Sequence, residues 1–419
     1  MVSLNTRVYS KQETILSYLL PVSFFLSPYA HYGFNGVMFT FALLCSFFIV
    51  LKYKHFPVFK PLSIYTILLV SLIIINSGLI GGQISLRLFY TVVLYLFCGY
   101  CVSIIARHID KDALYRSWRF LGILVGIVVL IQYIQITFFG QYVQPINLLP
   151  LTKEEILSCE NWIEYHERPV AFFTEPAAIV GFLTPLLALA LQKRDFITSV
   201  IVSISILLTT STSGLIVLLV LWATFFGDMK FSFWFFIFLI LFLGSVLYVF
   251  LFTDLLQATA EKLIFEMSGE SSNMYTRVIR GWDIFFSSDT RTIIWGIPEI
   301  DFTDYAAKHA SEFAGIDVLT GTSQLFTNTA QKVCLYSGLF GAVVYVWMLT
   351  KLYNSVEKAA KPFFWSVIVL MFFASNFYRS GLFIMQFMVL LSFEKSPKRK
   401  EKLHMERSII KKLYYEFYK

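Results

Sequence analysis

Long apolar runs separated by short polar segments dominate the chain. Most of these runs are long enough for a helix to cross the hydrocarbon core of a membrane. Windows of that length give candidate helices at roughly 14–30, 34–51, 62–80, 84–105, 118–139, 173–191, 196–210, 213–227, 231–252, 333–350, 362–377 and 381–393. The pattern therefore predicts an all-α polytopic membrane protein with about 12 transmembrane helices.

Two of the apolar stretches, 196–227 and 362–393, are too long for one span and short for two. Each carries a polar break near its middle, with the sequence TTSTSG at 209–214 in the first and NFYRSG at 376–381 in the second. We interpret each stretch as a pair of short helices that turns just inside the outer surface. Such broken backbone is tolerated in a membrane where it lines a wet cavity.

The composition excludes several classes of protein. Of the 419 residues, 57% are hydrophobic and 15% are charged, and the mean hydropathy is +0.68. Soluble domains average about 25% charged residues, and so much apolar mass cannot be enclosed by a polar surface. A soluble globular enzyme and a disordered chain are therefore excluded. Five scattered cysteines also exclude a disulfide scaffold.

The distribution of charge predicts the orientation. If both termini are cytoplasmic, the inner segments hold 24 of the 34 Lys and Arg residues, and the net charge is +14 inside and −7 outside. This is the positive-inside bias of membrane proteins. The predicted units are N-terminal helices 1–139, an outer loop 140–172, central helices 173–252, a large outer loop 253–332, C-terminal helices 333–393 and a basic cytoplasmic tail 394–419. We expect the tail to bind the anionic lipids of the inner leaflet.

The first candidate site lies where the shorter outer loop re-enters the membrane, in the sequence ERPVAFFTEP at 167–176. Arg168 and Glu175 flank an aromatic pair, and Glu175 precedes a proline that suits the first position of a helix. Both are also ordinary residue types for an interfacial anchor and a helix cap. A carboxylate at the lip of a span is nevertheless costly unless it faces a wet cavity, which keeps the functional interpretation open.

The large outer loop carries Arg277 and Arg280, which a helix would place on one face. Two guanidinium groups so arranged can form paired, charge-assisted hydrogen bonds to a diphosphate. The alternative is a solvated helix face. Because the outer loops are net acidic, clustered arginines there do not contribute to the positive-inside bias that sets the orientation. Their presence therefore favours a binding role.

Two further residues, Arg379 and His309, are candidates on their position. Arg379 lies in the second polar break beside Tyr378, and a cation at that depth is expected to face the bundle interior or an anion. His309 is a titratable residue in the large outer loop and a candidate base, although a lone loop histidine is more often simply solvated. The sequence has no zinc-ligand spacing, calcium loop or glycine-rich phosphate loop, so no metal or other cofactor is expected.

Several motifs follow one another in an order found in a known superfamily. Arg168-Pro169 with FFTEP at 172–176 comes first, then the 209–214 break, then RVIRGW at 277–282 with IWGIP at 294–298, and then TN at 327–328 with LYSGLFG at 335–341. In this order, and in their predicted sidedness, the chain resembles the O-antigen polymerase (Wzy-type) and O-antigen ligase superfamily of bacterial surface-glycan enzymes.

The resemblance implies a GT-C type glycosyltransferase that works on the outer face of the bacterial plasma (inner) membrane. Its substrates are oligosaccharides linked to undecaprenyl diphosphate, and neither a metal nor a nucleotide sugar is required. A chain-length regulator protein is a candidate partner for enzymes of this kind, and nucleic acid is not a partner. The polymerases transfer the growing chain to the next lipid-linked repeat unit, whereas the ligases transfer the finished chain to the lipid A core.

Roles for individual residues follow from the resemblance. The group that accepts the proton is expected to be Glu175 or, as second choice, His309, and Arg168 and Arg280 are expected to stabilise the leaving charge. The residues expected to bind the diphosphate are Arg277, Arg280, Arg168 and Arg379, and those expected to contact the glycan are Asn328, Tyr378 and Trp282.

One departure from the superfamily separates its two activities. Ligases carry a histidine before the asparagine where this chain has Thr327-Asn328, and Tyr336 stands where an acidic residue is common. This difference favours the polymerase and means that the superfamily pattern does not itself assign the base, for which Glu175 is the first choice and His309 the second. A ligase of the same superfamily stays the nearest alternative, and a lipid-linked glycan flippase or a non-catalytic scaffold is an alternative from another class. A transporter would predict charges in the middle of spans and internal repeats, and neither is visible.

Overall fold

The structure, a computed structural model, describes residues 9–26, 58–76, 86–140, 148–153, 168–227, 279–308, 327–373 and 381–394. Within these ranges 83% of the residues are helical and no strand is formed. The prediction of an all-α protein is confirmed for this part of the chain. The spans expected at 34–51 and 231–252 lie outside the described residues.

The helices are numbered here in chain order. They are α1 (Lys11–Phe25), α2 (Lys60–Ile73), α3 (Leu86–Ala106), α4 (Lys111–Phe139), α5 (Pro176–Lys193), α6 (Phe196–Leu208), α7 (Thr212–Gly227), α8 (Arg280–Ser287), α9 (Thr290–Trp295), α10 (Glu299–Lys308), α11 (Thr329–Ser355), α12 (Lys361–Phe373) and α13 (Gly381–Ser392), with a short 3-10 turn at Lys358–Ala360.

The apolar character of these helices fits a membrane protein. By length and composition α4, α5 and α11 can each cross a membrane. Helices α2, α6 and α7 are also apolar but shorter. One face of α4 exposes large apolar side chains, among them Phe120, Leu124, Ile127, Ile131 and Ile134. A helix presents such a face to lipid rather than to water. The number of spans, about 12, stays a prediction.

Helix α5 lies at the centre of the bundle, and its residues from Ile179 to Leu191 are buried. It contacts α4, α6, α7, α12 and α13. The close approach of α4 depends on two glycines: a Cβ on Gly122 would lie 2.1 Å from the Leu186 side chain of α5, and one on Gly126 would lie 2.6 Å from Ser205 of α6. Small residues at these positions therefore seat α4 against both neighbours.

One end of the bundle, called the charged end here, collects ion pairs. It brings together the first residues of α1, α4 and α6 and the last residues of α3, α5 and α13. The ion pairs are Arg107–Glu394 (2.6 Å), Arg119–Asp195 (3.2 Å) and Lys193–Asp112, and Nδ1 of the buried His108 lies 2.5 Å from Oε1 of Glu13. The end of α11 joins them, because the amide of Glu357 donates to the carbonyl of Phe393 at 2.9 Å.

The opposite end of the bundle follows from the helix directions. Helices α1, α4 and α6 finish there, and α3, α5, α7 and α11 begin there. On the predicted orientation the charged end is cytoplasmic. The opposite end then holds the re-entrant loop, the first polar break and the outer-loop helices α8–α10, which are the segments that carry the sequence motifs.

Candidate functional site

The segment that precedes α5 is irregular backbone buried inside the bundle. Residues 168–173 are all buried, although none of them lies in a helix. Ala171 adopts a left-handed conformation with φ +50°, and its amide donates to Oε1 of Gln132 at 2.7 Å. Irregular backbone at this depth is stable only where the protein satisfies its polar groups, and Gln132 from α4 provides one such partner.

Arg168 links this segment to the first polar break. It is 7% exposed, and its Nε donates to the Thr209 carbonyl at 3.1 Å and to the Thr210 hydroxyl at 2.7 Å. Its Nη2 donates to the carbonyls of Thr209 at 3.0 Å and Thr210 at 2.7 Å. The guanidinium therefore satisfies carbonyls at the end of α6, where the helix dipole favours a cation.

The break itself is strained. Thr210 has φ +50°, an unusual conformation for a β-branched residue. Strain of this kind persists only where surrounding contacts fix it, and the fork of Arg168 supplies them here. The polar turn continues with the hydroxyls of Ser211 and Ser213, which lie 3.0 Å apart and are buried at the start of α7.

Aromatic packing fixes the same segment from the other side. The ring of Phe25, at the end of α1, lies 5.0 Å from Phe172 and 6.2 Å from Phe173. Phe173 in turn lies 5.5 Å from Phe182 of α5. Edge-on and tilted contacts at these distances are favourable, and they hold the backbone that leads to Glu175 in one position.

Glu175 ends the buried segment as the residue before α5. Its side chain is partly exposed and does not cap the helix. Among the described residues its carboxylate has no hydrogen-bond or ion-pair partner. Asp195, in the same position before α6, differs because it accepts hydrogen bonds from Thr198. Glu175 is therefore a carboxylate that a rigid segment presents without using it for the fold.

A second assembly forms where the outer-loop helices meet α11. A Cβ on Gly281 in α8 would lie 2.5 Å from the Gln331 side chain. Gln331 and Asn328 form a reciprocal capping box at the start of α11, with two hydrogen bonds of 2.9 Å. The backbone of Arg280, the first residue of α8, thus lies next to the first turn of α11. Trp282 is partly buried and stacks on Phe286.

Two glycines let the outer loop cross α11 closely. Gly296 has φ +77°, and Gly338, with φ +63°, interrupts α11. A Cβ on Gly296 would lie 2.5 Å from the Gly338 amide nitrogen, and a Cβ on Gly338 would lie 2.1 Å from the Ile294 carbonyl. The Ile297 amide donates to the Leu335 carbonyl at 2.7 Å. The motifs at 294–298 and 335–341 are therefore packed together.

The structure describes some of the site residues expected from the sequence and not others. Arg168 and Glu175 lie on one buried segment, and Asn328 caps α11 while 1% exposed. For Arg280 the structure describes the backbone. The remaining expected residues, Arg277, His309, Tyr378 and Arg379, lie outside the described residues, so their roles stay predictions. In the described ranges no group of three or more metal-ligating side chains is found.

Some residues at these assemblies were not expected from the sequence. Gln132 is an amide inside an apolar run, and a polar side chain at such a position is a sequence signal for a buried hydrogen bond. Glu299 follows Pro298 at the start of α10, and its Oε2 accepts a hydrogen bond from the Tyr95 hydroxyl at 2.6 Å. The local pattern of a proline beside a glutamate, already noted at Glu175, could have drawn attention to Glu299.

Comparison with known proteins gives no match to a family model and none to a curated protein. A functional argument for this chain therefore depends on the residues themselves. They offer a carboxylate that has no partner among the described residues, a buried arginine at a strained turn, and an outer loop held against the bundle by close backbone contacts. Carboxylates of this kind can accept a proton, and arginines can bind phosphate.

Proposed function

We propose that the protein polymerises oligosaccharide repeat units carried on undecaprenyl diphosphate, at the outer face of a bacterial plasma membrane. The observation that carries the proposal is the position of the motifs. The segments at 168–176, 209–214 and 280–298 and the first half of α11 all lie in the half of the bundle opposite the charged end. Motifs far apart in sequence thus form two packed assemblies in the same half of the bundle, which supports a site there.

The reaction is a single displacement. A hydroxyl of the next lipid-linked repeat attacks the anomeric carbon of the growing glycan, and the bond from that carbon to the phosphate oxygen breaks. Undecaprenyl diphosphate leaves, and the transition state has oxocarbenium character. Attack on the face opposite the leaving group inverts the anomeric configuration. The proton of the attacking hydroxyl goes to a base, for which we propose Glu175, with His309 as the alternative.

Negative charge develops on the diphosphate as it leaves. We assign its stabilisation to Arg277 and Arg280, with Arg168 and Arg379 as further cations, since guanidinium groups bind phosphate in a forked geometry. Arg168 also holds the break at Thr209 and Thr210. We assign glycan contacts to Trp282, Tyr378 and Asn328. A GT-C type architecture with both termini cytoplasmic completes the proposal, and a chain-length regulator protein is its candidate partner.

The proposal is tested in the organism that carries the gene. Deletion should remove the ladder of long surface glycan and leave single repeat units on the lipid. The wild-type gene should restore the ladder and Arg280→Ala should not. Arg291→Ala is the matched control, because Arg291 is an exposed arginine on α9 of the same outer loop.

The outcomes separate the alternatives. A ladder that survives deletion, or that Arg280→Ala restores at normal membrane abundance, would contradict a catalytic role. Long lipid-linked polymer that accumulates without reaching its final acceptor would indicate a ligase instead. Single repeat units that accumulate on the inner leaflet would indicate a flippase.

A further inference from the structure

The outer loop places one carboxylate, that of Glu299, inside the helical bundle. Residues Gly296 and Ile297 lie against α11, where the Ile297 amide donates a hydrogen bond to the Leu335 carbonyl. Leu335 is six residues after the first residue of α11, which corresponds to about 9 Å of helix. Glu299 begins α10 directly after this contact, so its backbone starts inside the bundle rather than above it.

Tyr95, which donates a hydrogen bond to Glu299, lies deep as well. Tyr95 is 1% exposed and is nine residues after Leu86, the first described residue of α3, or about 13 Å along that helix. Its hydroxyl donates to Glu299 Oε2 at 2.6 Å. The carboxylate is nevertheless partly exposed. An ionisable side chain at such depth is costly unless it faces a wet cavity, and it commonly marks a functional site.

Helix α10 is attached to the bundle by contacts besides this carboxylate. Phe302, three residues further and therefore on the same face of α10, packs edge-on against Tyr336 of α11 at 5.5 Å. The two-glycine crossing also anchors the start of α10. A neutral amide could bond Tyr95 at a lower desolvation cost than a carboxylate. The hydrogen bond to Tyr95 therefore does not by itself require a charged group at this position.

We propose that Glu299 binds the acceptor glycan by accepting hydrogen bonds from its hydroxyl groups, with Tyr95 as the positioning residue. The proposal rests on the polymerase function above. An ionised carboxylate can only accept hydrogen bonds. A buried phenol that donates to one of its oxygens fixes the orientation of the carboxylate. The acceptor unit at this position is then a sugar that offers hydroxyl groups as hydrogen-bond donors.

The test uses the purified full-length protein in lipid vesicles. Single repeat units isolated from the deletion strain serve as acceptor, and polymer already formed on the lipid serves as donor. Glu299→Gln should raise the KM for the acceptor about tenfold or more, the effect expected when a hydrogen bond to a charged group is lost. The kcat and the KM for the donor should stay within about threefold of wild type.

Tyr95→Phe removes a single hydroxyl and should raise the acceptor KM in the same direction but less, by about threefold. Because Tyr95 acts through Glu299, the double variant should be no worse than Glu299→Gln alone. Asp304→Asn is the control, since Asp304 is an exposed carboxylate on the same helix. Melting temperatures measured in detergent exclude variants that fail to fold, and Tyr95→Phe tests the idea even if Glu299→Gln does not fold.

Three results would overturn the inference. They are an acceptor KM for Glu299→Gln within about twofold of wild type, a loss confined to kcat, or additive effects of the two substitutions. Failure of the polymerase function gives a different result, because wild-type protein would then make no polymer. If wild type polymerises and Arg280→Ala does not, while Glu299→Gln behaves as wild type, the role of Glu299 alone is disproved.

Discussion

The guanidinium of Arg168 donates two hydrogen bonds to Thr210, one to its hydroxyl and one to its carbonyl, each at 2.7 Å. Thr210 is one of the strained residues of the described chain, with φ +50°. The contact joins the re-entrant segment before α5 to the break between α6 and α7. Arg168 is thus the residue through which two polar interruptions of the apolar bundle hold each other in place.

Arg168→Lys should destabilise the protein although it keeps the charge. One ammonium group cannot reproduce the fork that Arg168 makes with Thr209 and Thr210, so buried carbonyls lose their partner at a cost of about 2 kcal/mol. The measurement is the melting temperature in detergent together with the glycan ladder. Arg291→Lys, on an exposed arginine, should change neither. Equal melting temperatures for the two variants would contradict the structural role of Arg168.

Glu175→Gln should abolish chain growth without affecting the fold. The amide has the shape of the carboxylate, and among the described residues the carboxylate has no partner to lose. Loss of a general base lowers turnover by about 100-fold or more. The measurement compares polymer formed by purified protein at equal abundance, with Asp304→Asn as the control. Polymer made at the wild-type rate would remove Glu175 as the base and direct attention to His309.

Hydropathy was sufficient for much of the fold. Helices α1–α7 and α11–α13 overlap predicted apolar runs, whereas α8–α10 lie in the predicted large outer loop, and the break at 209–214 overlaps the junction between α6 and α7. The contact of Arg168 with Thr210 could not be predicted, because 42 residues separate them and no periodicity encodes a tertiary contact. The depth of Glu299 could not be predicted either, since it depends on how the backbones of Gly296 and Gly338 cross.

Gly296→Ala should release the outer loop from α11. The added Cβ would lie 2.5 Å from the Gly338 amide, and backbone cannot move aside as a flexible side chain can. Left-handed strain adds to this clash, and together they cost about 2 kcal/mol or more. The measurement is the melting temperature together with polymer yield.

A matched glycine separates strain from clash. Gly140 has φ +57°, and a Cβ there would meet nothing within 4 Å. Gly140→Ala should therefore show the strain alone, about 1 kcal/mol, and leave polymer yield unchanged. If Gly296→Ala is no more harmful than Gly140→Ala, the crossing at Gly338 is not required for the outer loop to dock.

At the charged end, Asp195 should stabilise the protein in a pH-dependent way. Burial acts to raise the pKa of Asp195, but hydrogen bonds from Tyr115 and Thr198 and the charge of Arg119 outweigh it and hold that pKa below its ordinary value. A group whose pKa is lowered by folding stabilises the fold above its unfolded pKa of about 3.9. That stabilisation is lost as the pH falls through the folded pKa.

Asp195→Ala should therefore lower stability by about 1 kcal/mol at neutral pH, because it also removes the cap of α6. The difference from wild type should shrink as the pH falls below the unfolded pKa of about 3.9 and on through the lowered folded pKa, where the wild-type carboxylate becomes protonated too. The measurement is the melting temperature of both proteins at neutral pH and through this acid range. Asp112→Ala is the control, since the exposed pair of Asp112 with Lys193 contributes little. A deficit for Asp195→Ala that persists unchanged in acid would show that the carboxylate charge does not contribute to stability.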